Sequence, residues 1–227
     1  MALRPTPFSI DEWFHCYNRG IDKRTIFESD VDAERFMQLL YLCNSPEPVR
    51  RDNLRQRFTD EIVAIPRKAA IVSIGAYCLM PNHYHLLLKE ITDGGISRFM
   101  QKLGTAYTMY FNKKYERTGN LLTKPFRARH VGDDRYFQRV VDYIHCNAAE
   151  LTEEGWKRGE VANMARLEKR LLTYRYSSFA DYGKQKRNIA AILSGDGLEI
   201  YRNISPKEML ADARAYYADI ATDDPDV

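Results

Sequence analysis

The stretch "AAIVSIGAYCLMPNHYHLLLKE", residues 69–90, constrains the fold more than any other part of the chain. Apolar and β-branched residues fill both halves, and Pro81-Asn82 interrupts them. Proline presets the second position of a tight turn and asparagine tolerates the third. The segment therefore reads as strand–turn–strand. Side chains alternate along the second strand, so His83, His85 and Leu87 face one way and Tyr84, Leu86 and Leu88 the other. Two imidazoles two residues apart on one face can reach a single metal ion. Two strand-edge histidines that only hydrogen-bond are the plainer alternative, and the pair alone does not decide between them.

The flanking elements come in a telling order. "FHCYNRG" (14–20) reads as a short strand ending at a glycine. In "SDVDAERFMQLLYLCN", Ser29 or Asp30 can cap a helix whose Phe36, Leu39, Leu40 and Cys43 fall at helical spacing. Residues 45–68 are polar, carry Pro46, Pro48 and Pro66, and read as an insertion with a short helix inside "NLRQRFTDEIVAI". After the hairpin, "ISRFMQKLGTAYTMYFNKKY" places Ile96, Phe99, Met100, Leu103, Tyr107, Tyr110 and Phe111 on one stripe, an amphipathic helix ended near Gly119. "PFRARHV" supplies a fourth strand. The order β-α-β-β-α-β predicts an α+β fold: a ferredoxin-like antiparallel sheet with helices on one face and "FHCYNR" and "HYHLLL" as central neighbours.

Beyond that unit, "DDRYFQRVVDYIHCNAAEL" predicts another helix, capped by Asp133 or Asp134. Its buried stripe is Phe137, Val140, Val141, Ile144, Ala148 and Leu151, with Tyr143 and Asn147 projecting together at the edge. His145 falls on the far side. A tyrosine at such an edge is ordinarily a core residue with its tip toward water. An asparagine beside it is harder to explain that way. The rest reads as helical around "VANMARLEKRLL" and "SPKEMLADARAYYADIA", and no chemistry is legible in it. One domain over 1–183 and a helical C-terminal extension over 184–227 are expected.

Charge is nearly balanced, 34 Lys+Arg against 31 Asp+Glu, so its distribution matters more than its sum. "KKYERTGNLLTKPFRARH" (113–130) is basic and interleaved with Tyr and Phe, which suits a phosphate backbone and unstacked bases. A solvated basic loop explains it equally well. Arg127 and Arg129 alternate on the predicted strand and share one face, with Lys124 just before them. The four cysteines form no C-x-x-C pair and read as reduced. With no apolar leader and no bilayer-length apolar run, a cytoplasmic protein without a membrane partner is expected.

Six blocks carry a resemblance: "YNRGIDKRTIF", "YCLMPNHYHLLL", "ISRFMQKLGTAYTMYFNKKYERTGNLL", "PFRARHV", "YFQRVVDYIHCN" and "YSSFADY". In this order they resemble the single-tyrosine HUH transposases, and within them the REP-associated tyrosine transposases, from about His15 to Tyr182. The resemblance implies a metal-dependent single-stranded DNA endonuclease and strand transferase acting on hairpin DNA through a 5′-phosphotyrosyl intermediate. It implies His83 and His85 as ligands of Mg²⁺ or Mn²⁺, Asn147 completing that site, and Tyr143 as nucleophile. Asn18, Arg19, Lys113, Lys114, Arg117, Lys124, Arg127 and Arg129 are the expected DNA contacts. The partner is single-stranded or hairpin DNA, and the protein a monomer or homodimer.

The chain departs from that pattern in two places. "CNAAEL" lacks the usual proline and puts Glu150 where arginine is common, so the helix is expected to run on. "LTKPFR" lacks the usual tryptophan. A nucleic-acid-binding module without catalysis is the competing reading, disfavoured by the presence of both histidines, the tyrosine and the asparagine. A zinc hydrolase is disfavoured because neither a glutamate nor a third histidine is evident beside the pair. His130, ending the fourth strand, could assist the site, whereas His145 is expected to pack elsewhere.

Overall fold

Met80 pairs with His83 across Pro81-Asn82, so the hairpin turns where the sequence places it. In the computed structural model, which describes residues 7–50, 58–182, 187–200 and 205–221, this hairpin is half of one antiparallel sheet. Its strands are β1 (Trp13–Arg19), β2 (Val72–Met80), β3 (His83–Glu90) and β4 (Arg127–Val131), in the order β2-β3-β1-β4. The expected central neighbours are therefore β1 and β3. The α+β, ferredoxin-like architecture is the one the element order predicts.

Helices α1 (Asp30–Cys43) and α3 (Gly95–Lys114) pack with Phe14, Cys16, Ile74, Tyr84, Leu86 and Leu88 on one side of the sheet. Between them in sequence, α2 (Thr59–Val63) buries Ile62 and Val63 beside α1. Residues 51–57 of the expected insertion lie outside the described residues. Ser29 caps α1, its amide donating to Asp32 Oδ2 at 2.9 Å. Buried Asp32 also accepts from Tyr110, Tyr115 and Lys114 at 2.8, 2.7 and 2.7 Å, fastening the start of α1 to the end of α3.

The two helices of the β-α-β-β-α-β unit share one face as expected, and the added helices cover the second. Trp13, Ala76, Cys78, Leu87 and Val131 pack there under α4 (Asp134–Cys146) and α7 (Pro206–Ala221). Every residue of β2 is buried, as a nearly continuous apolar strand requires when both faces are covered. Around these sit α5 (Met164–Thr173), its buried Leu167 and Leu171 in the same core, and α6 (Gly195–Ile200) against β2.

Asp133 caps α4, its carboxylate accepting from the Tyr136 amide at 2.8 Å. The helix does not run on as expected: it tightens into a 3-10 segment, Asn147–Leu151. The Asn147 side chain donates to the Tyr143 carbonyl at 2.7 Å, competing with the backbone ladder there. Within the stretch expected as a helical C-terminal extension, 184–227, helix α7 lies along α4. Among the described residues, no helix is long and apolar enough to cross a membrane.

Candidate active site

Strand pairing decides which side chains meet. β1 sets Tyr17 opposite His85 and Arg19 opposite His83, and also sets Tyr17 opposite Arg127 and His15 opposite Arg129. Directly paired residues share a face, so His15, Tyr17, Arg19, His83, His85, Arg127 and Arg129 all stand on the α4 side. A cavity of about 80 Å³ opens there, lined by Tyr17, Asn18, Arg19, His83, His85, Thr123 and Arg127.

Asn18 has the opposite parity and is buried. Its amide donates to the Thr123 carbonyl at 3.0 Å and accepts from the Thr123 hydroxyl at 2.6 Å and the Arg19 amide at 2.8 Å. Expected as a DNA contact, it forms a wall between two cavities and ties Thr123 to β1. Beyond that wall a groove of about 790 Å³ runs between α3 and this segment, with Lys124 among its lining residues.

His15 is the functional candidate that sequence reasoning missed. It is fully buried, and its Nε2 lies 2.9 Å from Nδ1 of His85. Its Nδ1 lies 2.8 Å from the Tyr216 hydroxyl of α7. A third histidine therefore does stand beside the pair, contrary to the sequence-based expectation. The signal was present: once β1 and β3 are neighbours, alternation along "FHCYNR" places His15 and Tyr17 on one face.

All three imidazoles are held neutral. Burial, then Lys157 and Arg19, lowers His83 to about 3. Burial, then Arg129, lowers His15 to about 3. His85 falls well below its ordinary value through burial, then through His83 and His15. Nδ1 of His83 meets the Asn82 amide oxygen at 2.6 Å and Nδ1 of His85 meets His15, which leaves Nε2 of each for another partner.

Tyr143 packs against His85 and His15 of the same chain, with ring centroids 5.4 and 5.8 Å away. It is 0% exposed, and its hydroxyl has no hydrogen-bond partner among the described residues. Tyr216 covers it from one side at 5.1 Å. Half-buried Tyr217 stacks over it at 6.4 Å and 13°, beneath the Lys157 ammonium. Burial pushes the phenol pKa well up. Oδ1 of buried Asn147 is likewise without a partner. Neutral imidazoles with Nε2 left over and an amide oxygen without a partner are donor types that a divalent cation accepts.

The remaining expected residues divide. Arg19 and Arg127 edge the cavity, and Lys113 and Lys124 are exposed. Lys114 is tied to Asp32, and Arg117 donates to the Asn112 side chain at 2.7 Å. Arg129 turns toward α7, with its guanidinium 3.5 Å from the Asp219 carbonyl. His130 pairs opposite Phe14, so it faces the other core and cannot assist; it meets Glu12 at 2.8 Å instead. His145 packs away from the site, 2.8 Å from the Ser178 hydroxyl.

No curated protein matches the chain. A solved structure titled "Structure of the REP associates tyrosine transposase bound to a REP hairpin" aligns at 16% identity and TM-score 0.49, covering 91% of this chain and 96% of that one. The sequence family described as "Transposase IS200 like" matches residues 23–147, more than half of the chain and including the histidine pair, Tyr143 and Asn147. The chain belongs to the IS200-like transposase family.

Proposed function

We propose that this chain is a divalent-metal-dependent endonuclease and strand transferase for single-stranded or hairpin DNA, working in the cytoplasm with Tyr143 as nucleophile. The observation that supports it best is the Tyr143 ring 5.4 Å from His85 of its own chain. A cavity edged by Arg19 and Arg127 adjoins the same histidine. The hairpin preference rests on the resemblance of the sequence blocks to REP-associated enzymes.

His83 and His85, through Nε2, and Asn147, through Oδ1, would hold the cation. When bound, a divalent ion supplies the positive charge that offsets charge building on a scissile phosphate. Arg19 and Arg127 bind phosphate oxygens and fix the strand. Tyr143 loses its proton to water admitted with the DNA, and its oxygen attacks phosphorus. The Oη–P bond forms as the P–O3′ bond breaks, and the 3′ oxygen takes a proton from water. The 5′ end stays on the enzyme, and the bond energy is kept for rejoining.

A second reading, binding without cleavage, is favoured by one feature: the Tyr143 hydroxyl is sealed beneath Tyr216 and Tyr217. End-labelled hairpin oligonucleotides incubated with Mn²⁺ separate the two. The nuclease reading expects a nick and a denaturation-resistant adduct on the new 5′ end, both lost in Tyr143→Phe. Tight binding with neither product would establish the second reading.

A further inference from the structure

We propose that Tyr216 and His15 set the tautomer of His85, so that the C-terminal helix α7 holds the metal-binding histidine in its ligand-competent form. This rests on the reading that His83 and His85 bind the cation. A neutral imidazole carries one N–H and one lone pair, so a chain of buried imidazole bonds has a direction. To offer an Nε2 lone pair, His85 must carry its hydrogen on Nδ1. That hydrogen can only be given to His15 Nε2, 2.9 Å away. His15 must then carry its own hydrogen on Nδ1 and give it to the Tyr216 oxygen at 2.8 Å.

Reversing the chain puts the His85 hydrogen on Nε2 and destroys the ligand. No ring gains or loses a proton between the two directions; only the nitrogen that carries hydrogen changes. The competent direction is the one in which the Tyr216 oxygen accepts from His15, and the Tyr216 ring is held against Tyr136 with centroids 5.3 Å apart. All three links are buried, with His15 and Tyr216 at 0% and His85 at 2% exposure. Metal-bound histidines elsewhere are oriented in this way by an acceptor behind the ring, and losing it weakens affinity about 10–100-fold.

Isothermal titration of Mn²⁺ into the full chain tests the proposal without DNA or cleavage. Tyr216→Phe keeps the ring and is expected to weaken Mn²⁺ binding about 10-fold. His15→Leu should weaken it by about 10–100-fold. His15→Gln, which returns an acceptor near Nε2, should recover part of that loss. Unchanged affinity in Tyr216→Phe, or equal losses in the leucine and glutamine variants, would overturn the relay. ¹⁵N imidazole spectra of the metal-free protein give a second measure: His85 protonated on Nδ1 in the wild type, and shifted toward Nε2 in Tyr216→Phe. His85 already protonated on Nε2 in the wild type would also overturn it. Loss of Mn²⁺ binding from the wild type itself would sink the metal reading instead, and the spectra would still decide the relay.

Discussion

The Tyr143 oxygen is a buried polar atom without a partner, a state that ordinarily costs about 1–3 kcal/mol. A core tyrosine kept only for packing would do better as phenylalanine. Tyr143→Phe should therefore leave the urea midpoint unchanged or raise it by up to about 1 kcal/mol in stability, while abolishing the adduct. A substitution that stabilises and inactivates together marks a group held for chemistry. Tyr217 makes the complementary case. It stacks on Tyr143 and is itself half-buried, so Tyr217→Ala opens a path to the hydroxyl without disturbing Tyr216. Adduct formation under saturating DNA should speed up several-fold in single-turnover assays, and tyrosine nitration should reach Tyr143.

At the scale of elements, β4 shows how one strand face can be divided. Arg127 and Arg129 share that face, yet Arg127 edges the cavity while Arg129 is drawn to the Asp219 carbonyl of α7. Removing one phosphate contact to a single strand lowers the slope of log affinity against log salt by about 0.7. Arg127→Ala should show that change in binding titrations, and Arg129→Ala should leave the slope as it was. The strands themselves were legible because hairpin and alternation are local: Pro81-Asn82 fixes the turn and "HYHLLL" the parity. The 20-residue α3 was legible from its apolar stripe. What surrounds α4 was not. Its apolar stripe pointed to a single buried face, but Tyr143, His145 and Asn147 are buried as well, beneath elements such as α7 and Ser178. Nothing in the local pattern announces a partner some sixty residues downstream. His15 differs: its neighbour His85 lies seventy residues away, but the expected pairing of "FHCYNR" with "HYHLLL" together with alternation already places both on one face.

For the whole molecule, four of five histidines are held neutral, three of them buried and His83 half-buried: His15, His83 and His145 are lowered to about 3, and His85 falls well below its ordinary value. In the unfolded chain each titrates near its ordinary value of about 6.5. Folded values lie below the unfolded ones, so the folded state loses stability as pH falls from about 6.5 toward 3. Each group contributes a slope of up to about 1.4 kcal/mol per pH unit in that window. Urea midpoints should be level from pH 7 to 8 and drop steeply between 6 and 4. Because the imidazoles of the site are already neutral at pH 7, Mn²⁺ affinity should be flat across pH 7 to 8. The placement of Tyr143 against the histidines of its own chain has a last consequence, for mixtures. If every chain carries a whole reaction centre, two differently crippled chains cannot repair one another. A blend of His85→Ala with Tyr143→Phe should cut no hairpin at any ratio. An enzyme that borrowed its tyrosine from a neighbouring copy would regain about a quarter of its sites in an equal mixture, since half the dimers are mixed and each has one whole site.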